Sequence, residues 1–461
     1  MISMLALLAS GCRKFLEIPA PQEQIPSAKV FQLDESANAA GLGLYILSEF
    51  LLYDITLYSG FTGDEIVDHS GSTEYQMLYR NSLNAKESIT NTVWNRAYNE
   101  IFNANAVYEG CIASQALKSA VKKQCVGEAL FFRALWHFYL VNLYGDVPIV
   151  ISTDYLINSK AVRSSKADVY KQIISDLKLA EQNLTTEYIG ADAILTSTER
   201  TRVNRYVATA LLARVALYAG ELEEAERSAT SVIANNGVYE ILAFNDVFLK
   251  DSRESIFQLR AIRSEVNTIF GKRFILTSSP VSQSIHNSMA LSSFLLNAFE
   301  AGDQRKTSWT EKFTVGSTDY YYPFKYKIAG GTDHQENAIV LRLAEQYLIR
   351  AEARAQLNNL AGAIADIDVI RKRADLPLIA NINPIISKEN LISAIHKERR
   401  LELFAEFGDR WMDLKRTGKV DVAMTAVAPI KMAQWATHKQ LWPVPAADIE
   451  NNTKLEQNIG Y

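Results

Sequence analysis

The chain runs to 461 residues, with 48 basic and 52 acidic side chains and a net charge of −4. The charges are interspersed, so no basic stripe marks the chain for nucleic acid; its 21 Gly and 11 Pro form no linker-like stretch, which favours one large domain over several. Three cysteines, Cys12, Cys111 and Cys125, are too few for a disulfide framework.

Residues 1–11 are apolar or small throughout. Leu8-Ala9-Ser10-Gly11-Cys12 resembles a bacterial lipoprotein signal, in which small residues precede a cysteine that becomes acylated. We therefore read 1–11 as a signal segment, Cys12 as the lipidation site and 12–461 as a single mature domain. No Lys or Arg precedes Cys12, so the leader is expected to be truncated. The longest apolar run beyond it, 129–141, is too short for a bilayer and carries Arg133 and His137, so no transmembrane span is expected there. Residues 58–88 read as irregular.

From about residue 92 the pattern turns helical. Segments 93–111, 121–144, 166–184, 204–219, 222–234, 338–357, 360–374 and 388–407 carry apolar residues at spacings of three and four, as in Tyr170, Ile173, Ile174, Leu177 and Ala180. Gly145-Asp146-Val147-Pro148 ends one helix, while Gly220 and Asn358 suit left-handed turns between others. Cys111 and Cys125, on consecutive helices, read as ordinary buried thiols. Arg133 and His137, one turn apart in an apolar helix, read as buried hydrogen-bonding groups.

Two helix pairs repeat at an offset of 138 residues: Ala213, Leu222, Ala225 and Val232 correspond to Ala351, Leu360, Ala363 and Ile370. Small residues on both helices permit close approach, as in tetratricopeptide-type hairpins. Between the pairs, over 236–335, Ser255-Ile256-Phe257-Gln258-Leu259-Arg260 alternates imperfectly and Tyr320-Tyr321-Tyr322-Pro323 is aromatic and proline-interrupted, which suits short strands and loops.

Catalytic motifs are missing: there is no His-Glu-x-x-His, Cys-x-x-Cys, Gly-x-Ser-x-Gly or phosphate-binding glycine loop. The six histidines, His69 among them, lack ligand spacing, so neither a metal nor a cofactor is expected. The most charged stretch is 398–414. There Glu398 and Glu402 lie one turn apart in line with Leu391 and Ile395, pointing inward, with Arg399, Arg400 and Arg410 at hand as counter-ions. A glycosidase pair is the sharper reading of two such acids, but it wants one kept protonated, whereas nearby arginines favour ionisation of both; a structural ion network is the expectation.

Several segments together resemble one family. Gly127-Glu128-Ala129-Leu130-Phe131-Phe132-Arg133-Ala134, continuing to Leu143-Tyr144-Gly145-Asp146-Val147-Pro148, is similar to the N-terminal signature of SusD/RagB proteins. Asp303-Gln304-Arg305 resembles the family's Asp-Pro-Arg turn, with Gln304 in place of proline. Leu341-Arg342-Leu343-Ala344-Glu345, Ala351-Glu352-Ala353, the 398–414 block, Leu441-Trp442-Pro443-Val444-Pro445 and Gln457-Asn458-Ile459-Gly460-Tyr461 complete the resemblance, with Ile459 replacing a more common proline.

The resemblance implies a mostly α fold: tetratricopeptide-like hairpins forming a single SusD-like scaffold with irregular loops and a few short strands, its family regions at about 14–219 and 255–461. It also implies a non-catalytic outer-membrane lipoprotein, facing the cell surface, that binds a glycan or other nutrient oligomer and helps load a SusC-like TonB-dependent transporter. The shared motifs are scaffold motifs and carry no ligand residues across. A soluble helical-repeat scaffold for protein partners and a glycoside hydrolase remain the alternatives. Sugars need flat aromatic platforms beside hydrogen-bonding groups. The expected ligand residues are therefore Tyr58, Phe61, Asp64, Tyr75, Tyr79 and Arg80 from one irregular segment and Trp309, Tyr320 and Tyr321 from the other. Trp309 follows a polar stretch and is expected to face solvent.

Overall fold

The computed structural model describes residues 27–281 and 287–461. Cys12 and the signal segment lie outside the described residues. Long helices follow one another, each packed on the next: Ser88–Ala113, Ser119–Tyr144, Lys166–Asn183, Arg205–Ala219, Leu222–Ile233, Leu343–Gln356, Leu360–Arg373 and Lys388–Glu402. Such a stack buries a continuous apolar seam that no single hairpin encloses alone. Its most enclosed member is Ser119–Tyr144, buried at every residue from Gln124 to Tyr144. That enclosure explains why the helix is apolar all round and not amphipathic.

The two repeated hairpins fold alike. Gly220 and Asn358 both take the left-handed conformation at the turns, with φ of 81° and 66°. Ala213, Ala225, Ala351 and Ala363 are fully buried where the helices approach. Leu222–Ile233 packs on Leu343–Gln356, so the second helix of one hairpin meets the first helix of the next.

Several boundaries differ from the sequence reading. Residues 338–342 are not helical: Ala338–Arg342 is a buried strand that pairs antiparallel with Ser255–Leu259, and the helix begins only at Leu343. The branched Ile339-Val340 core suits a strand, and its partner lies some eighty residues away, beyond reach of a local pattern. Lys388–Glu402 stops short of residue 407 because Ala405, Phe407 and Gly408 all have positive φ, which turns the chain into Asp409–Arg416. The supposedly irregular 58–88 contains the end of helix Ser48–Thr62, strand Ile66–Asp68, helix Thr73–Tyr79 and the start of Ser88–Ala113.

The run 34–62 is long and apolar enough to resemble a membrane span. It breaks at Leu47 into two helices, and Ser48–Thr62 is buried along nearly its whole length. That burial makes it a core helix, contiguous with the main apolar cluster. Two further two-stranded sheets lie beside the stack: Ile66–Asp68 with Met289–Leu291, and the hairpin Thr310–Val315 with Thr318–Pro323. Cys111 and Cys125 are buried free thiols.

Candidate functional site

The expected ligand residues divide sharply by environment. Tyr58, Phe61, Tyr75 and Tyr79 are buried: the Tyr75 ring lies 5.3 Å from Phe61 and 6.3 Å from Tyr58, and Tyr79 lies under the Lys431 ammonium. Tyr58 and Phe61 face inward because Ser48–Thr62 is enclosed on all sides. Trp309, expected at the surface, is 0% exposed. Its ring packs edge-on against Phe244 and Phe248 at 4.9 and 5.7 Å, and its indole N–H donates to the Phe244 carbonyl. The cause is the turn before it. Arg305 and Trp309 share one face of helix Gln304–Trp309, and Arg305 is drawn inward by Asp303 and Glu398. These five rings are corrected from ligand platforms to core.

Asp64 is likewise engaged within the protein. Its carboxylate accepts from Arg400 at 2.9 Å and from Arg410 at 2.8 and 2.9 Å. Burial opposes ionisation, yet Arg410 and Arg400 outweigh it and bring the acid down to about 2. Arg80, Tyr320 and Tyr321 remain reachable: Arg80 is exposed and the two tyrosines are half-buried. Alternation along Thr318–Pro323 puts Tyr320 and Tyr321 on opposite faces of their hairpin.

Beside the pairing of Ile66–Asp68 with Met289–Leu291, one ring contact joins the two irregular segments. His69, just after Ile66–Asp68, meets Tyr320 edge-to-face with ring centroids 5.1 Å apart. The arrangement is held from both sides. The His69 backbone N–H donates to the Ser288 carbonyl at 2.7 Å, and Asp68 accepts from the Ser70 hydroxyl and amide and from Gln76 Nε2. Burial lowers the His69 pKa, with Asp68 pulling the other way, so the ring is neutral at neutral pH. Sequence reasoning missed His69, since a lone histidine in a loop carries no periodic signal.

Glu398 and Glu402 sit inside the protein with Leu391 and Ile395, although the arginines that pair them are not their sequence neighbours. Arg305 reaches Glu398 at 2.6 Å and Glu402 at 3.5 Å; Arg371 adds to Glu398, and Arg342 and Arg373 to Glu402. Arg399 instead serves Asp409, Asp413 and Glu345, while Arg400 and Arg410 hold Asp64. Adjacent residues on a helix point apart, so counter-ions come from other elements. The two acids also differ. Burial raises Glu398 despite Arg305 and Arg371, whereas Glu402 is held well below the carboxylate range by Arg373, Arg342 and Arg305 against burial. Neither acid reaches solvent.

Arg133 and His137 are satisfied internally. Arg133 binds Asp176 at 2.6 and 2.8 Å, and His137 Nε2 accepts from the Val150 amide while Nδ1 faces the Arg133 carbonyl. Burial lowers His137 to about 4, which keeps it neutral. No cluster among the described residues has the His, Cys, Asp or Glu grouping to hold a metal ion.

The structure is a stack of tetratricopeptide-like hairpins locked by buried ion pairs, with short two-stranded sheets beside it. Residues 15–217 match the family model described as starch-binding associating with outer membrane, and 286–461 match the SusD family model. The chain belongs to the SusD-like family. A SusD-like protein, P38, of Formosa agariphila is 26% identical over all of this chain and 98% of its own length. The fold is shared with a laminarin-binding SusD-like protein (TM-score 0.71, 24% identity, 92% of this chain and 99% of that one). It is also shared with surface glycan-binding protein A from Bacteroides uniformis (TM-score 0.78, 17% identity, 92% and 99%).

Proposed function

We propose that this chain binds an oligosaccharide without transforming it, at the surface where His69 and Tyr320 meet, and passes it to a SusC-like TonB-dependent transporter beside which it is held by a lipid on Cys12. The observation that carries the reading is the edge-to-face contact of His69 and Tyr320, which joins the two segments expected to bind ligand. A neutral imidazole and a phenol at one corner offer an apolar face and hydrogen-bonding edges together, which is what a pyranose ring requires. The names of proteins that share the fold support the reading, since one is called laminarin-binding and another a surface glycan-binding protein.

Absence of catalysis is argued from Glu398 and Glu402. They share Arg305 and are enclosed, and a glycosidase needs its two carboxyls flanking a bond in an open cleft. The test is calorimetric titration of wild type and a His69→Ala/Tyr320→Ala double variant with laminarin. Aromatic contacts of this kind are worth about 1 kcal/mol each, so the pair should cost about tenfold or more in affinity with little change in melting temperature. An unchanged isotherm would remove the site, and release of reducing ends from laminarin would remove the non-catalytic reading.

A further inference from the structure

A second concavity shares no residue with the His69–Tyr320 surface. It opens between helix Ser88–Ala113, residues 148–161 and the C-terminal residues 448–455, with a volume of about 590 Å³. Cavities that take small ligands run to roughly 300–1,000 Å³. Its floor is aromatic: Trp94 and Tyr98 lie below, and Phe102 and Tyr155 stand at the sides with 46% and 78% of their surfaces exposed. Exposed rings on this scale are costly unless something covers them.

The rest of the lining mixes polar groups with the aliphatic Pro148, Val150, Ala161 and Leu455, and it is almost uncharged. Asn158, Asn451 and Asn452 supply amides, and Thr153 and Ser159 supply hydroxyls. Asp448 is the only charged side chain among the lining residues; Trp94 hydrogen-bonds its carboxyl, and burial raises its pKa. Other cavities differ in kind, as in the groove walled by Lys178, Glu224 and Arg227, whose charges pair with each other. The walls here are already fixed. Asn158 donates to the Ser152 carbonyl and Asn452 to the Ala161 carbonyl, both at 2.7 Å, and the Tyr98 hydroxyl donates to the Pro148 carbonyl at 2.9 Å.

We propose that this cleft is a second carbohydrate-binding site, which takes a neutral pyranose chain with its ring faces on Phe102 and Tyr155 and its hydroxyls on the amide rim. A charged glycan would meet no counter-ion among the lining residues except the wrong sign at Asp448. The apolar anchor of a partner protein would find no use for the rim of three amides and two hydroxyls, which would lose their water unpaired. Leu156 and Ile157, exposed on the same turn as Tyr155, do not line the cleft. Two sites on one chain would hold a long polysaccharide at two points and slow its escape. The inference rests on the glycan reading above.

The experiment separates the two. Full-length protein is titrated by calorimetry with laminarihexaose, maltohexaose, xylohexaose and mannohexaose, as His69→Ala/Tyr320→Ala and as that variant with Tyr155→Ala or Phe102→Ala added. At least one hexaose should bind the first variant, and either added substitution should weaken that binding about tenfold without moving the melting temperature. Silence of all four hexaoses towards the first variant overturns the second site. So does residual binding indifferent to both added substitutions, which would include docking of the sugar elsewhere. The first surface fails separately, if the His69→Ala/Tyr320→Ala protein binds every hexaose as wild type does.

Discussion

Trp309→Ala should unfold the protein more readily and leave ligand binding untouched, the reverse of what its sequence context suggests. The ring is wholly enclosed between Phe244 and Phe248, and three cations face it: Lys325 at 4.7 Å, Arg373 at 5.5 Å and Arg342 at 5.6 Å. Truncating a buried tryptophan costs about 3–5 kcal/mol through lost burial and the cavity left behind. Loss of a desolvated cation–π contact adds about 2 kcal/mol for the nearest cation, Lys325. Unfolding entropy near 2.1 cal/mol/K per residue gives about 1 kcal/mol/K for a chain of 461 residues, so the melting temperature should fall by roughly 5 °C. Trp309→Phe keeps an apolar ring beneath the cations and loses mainly the bond to the Phe244 carbonyl, so it should cost about 1–2 kcal/mol. Urea titration at constant slope, paired with calorimetry on laminarin, reads both quantities. An unshifted urea midpoint together with lost affinity would refute the placement of this ring in the core.

Expressed in its native host, Cys12→Ala should move from the membrane fraction to the soluble one, because each buried methylene of an acyl chain contributes about 0.8 kcal/mol to anchoring; persistence in membranes would remove the anchor. Mild-detergent purification from native outer membranes should bring down a large β-barrel transporter, and recovery of the chain alone would count against delivery. Glu49 is raised to about 7 by burial, with only the Ile269 amide opposing, so the folded state holds a proton that the unfolded chain releases near 4.5. Its contribution to stability is therefore full below about pH 4.5 and is lost as pH rises through about 7. Glu49→Gln keeps the acceptor for Ile269 and should flatten denaturation midpoints across that window; an unchanged slope would show that Glu49 is not its source.

Much of the scaffold was legible because helices with one buried face write their period into the sequence. The hairpin repeat was readable from Ala213 and Ala351 because close helix approach admits only small side chains there. Legibility fails where contrast is lost. Ser48–Thr62 is enclosed on all sides, so its apolar residues show no stripe, and Tyr58 and Phe61 were assigned to a loop. Ala338–Arg342 is apolar and runs directly into a helix, so only its distant partner, Ser255–Leu259, distinguishes it as a strand. Trp309 misled because Asp303, Arg305 and Lys306 look like solvated charges. The i, i+4 spacing of Arg305 and Trp309 was the available signal, but it becomes decisive only once Arg305 is known to be buried with Glu398.

The same buried charges explain why the family could be recognised while the ligand could not. Asp303-Gln304-Arg305, Arg342, Glu345 and the 398–414 block are among the segments that carry the resemblance, and each contributes to an enclosed cluster of carboxylates and guanidinium groups, one around Arg305 and Arg342 and another around Arg399. Removing one member of a buried pair strands the other, at about 3–5 kcal/mol, so these positions tolerate little change and tie residues 303–305 to helix Lys388–Glu402. His69, Tyr320, Phe102 and Tyr155 are under no such constraint. Their rings are at least partly open to solvent, so replacing one perturbs little of the core and alters mainly what the surface can hold. Candidate ligand-facing residues can therefore sit among scaffold residues, as Phe102 does beside the buried Ile101 on helix Ser88–Ala113, and motif resemblance reads only the scaffold. For that reason candidate ligand positions have to be sought from placement in three dimensions, as the contact between His69 and Tyr320 was.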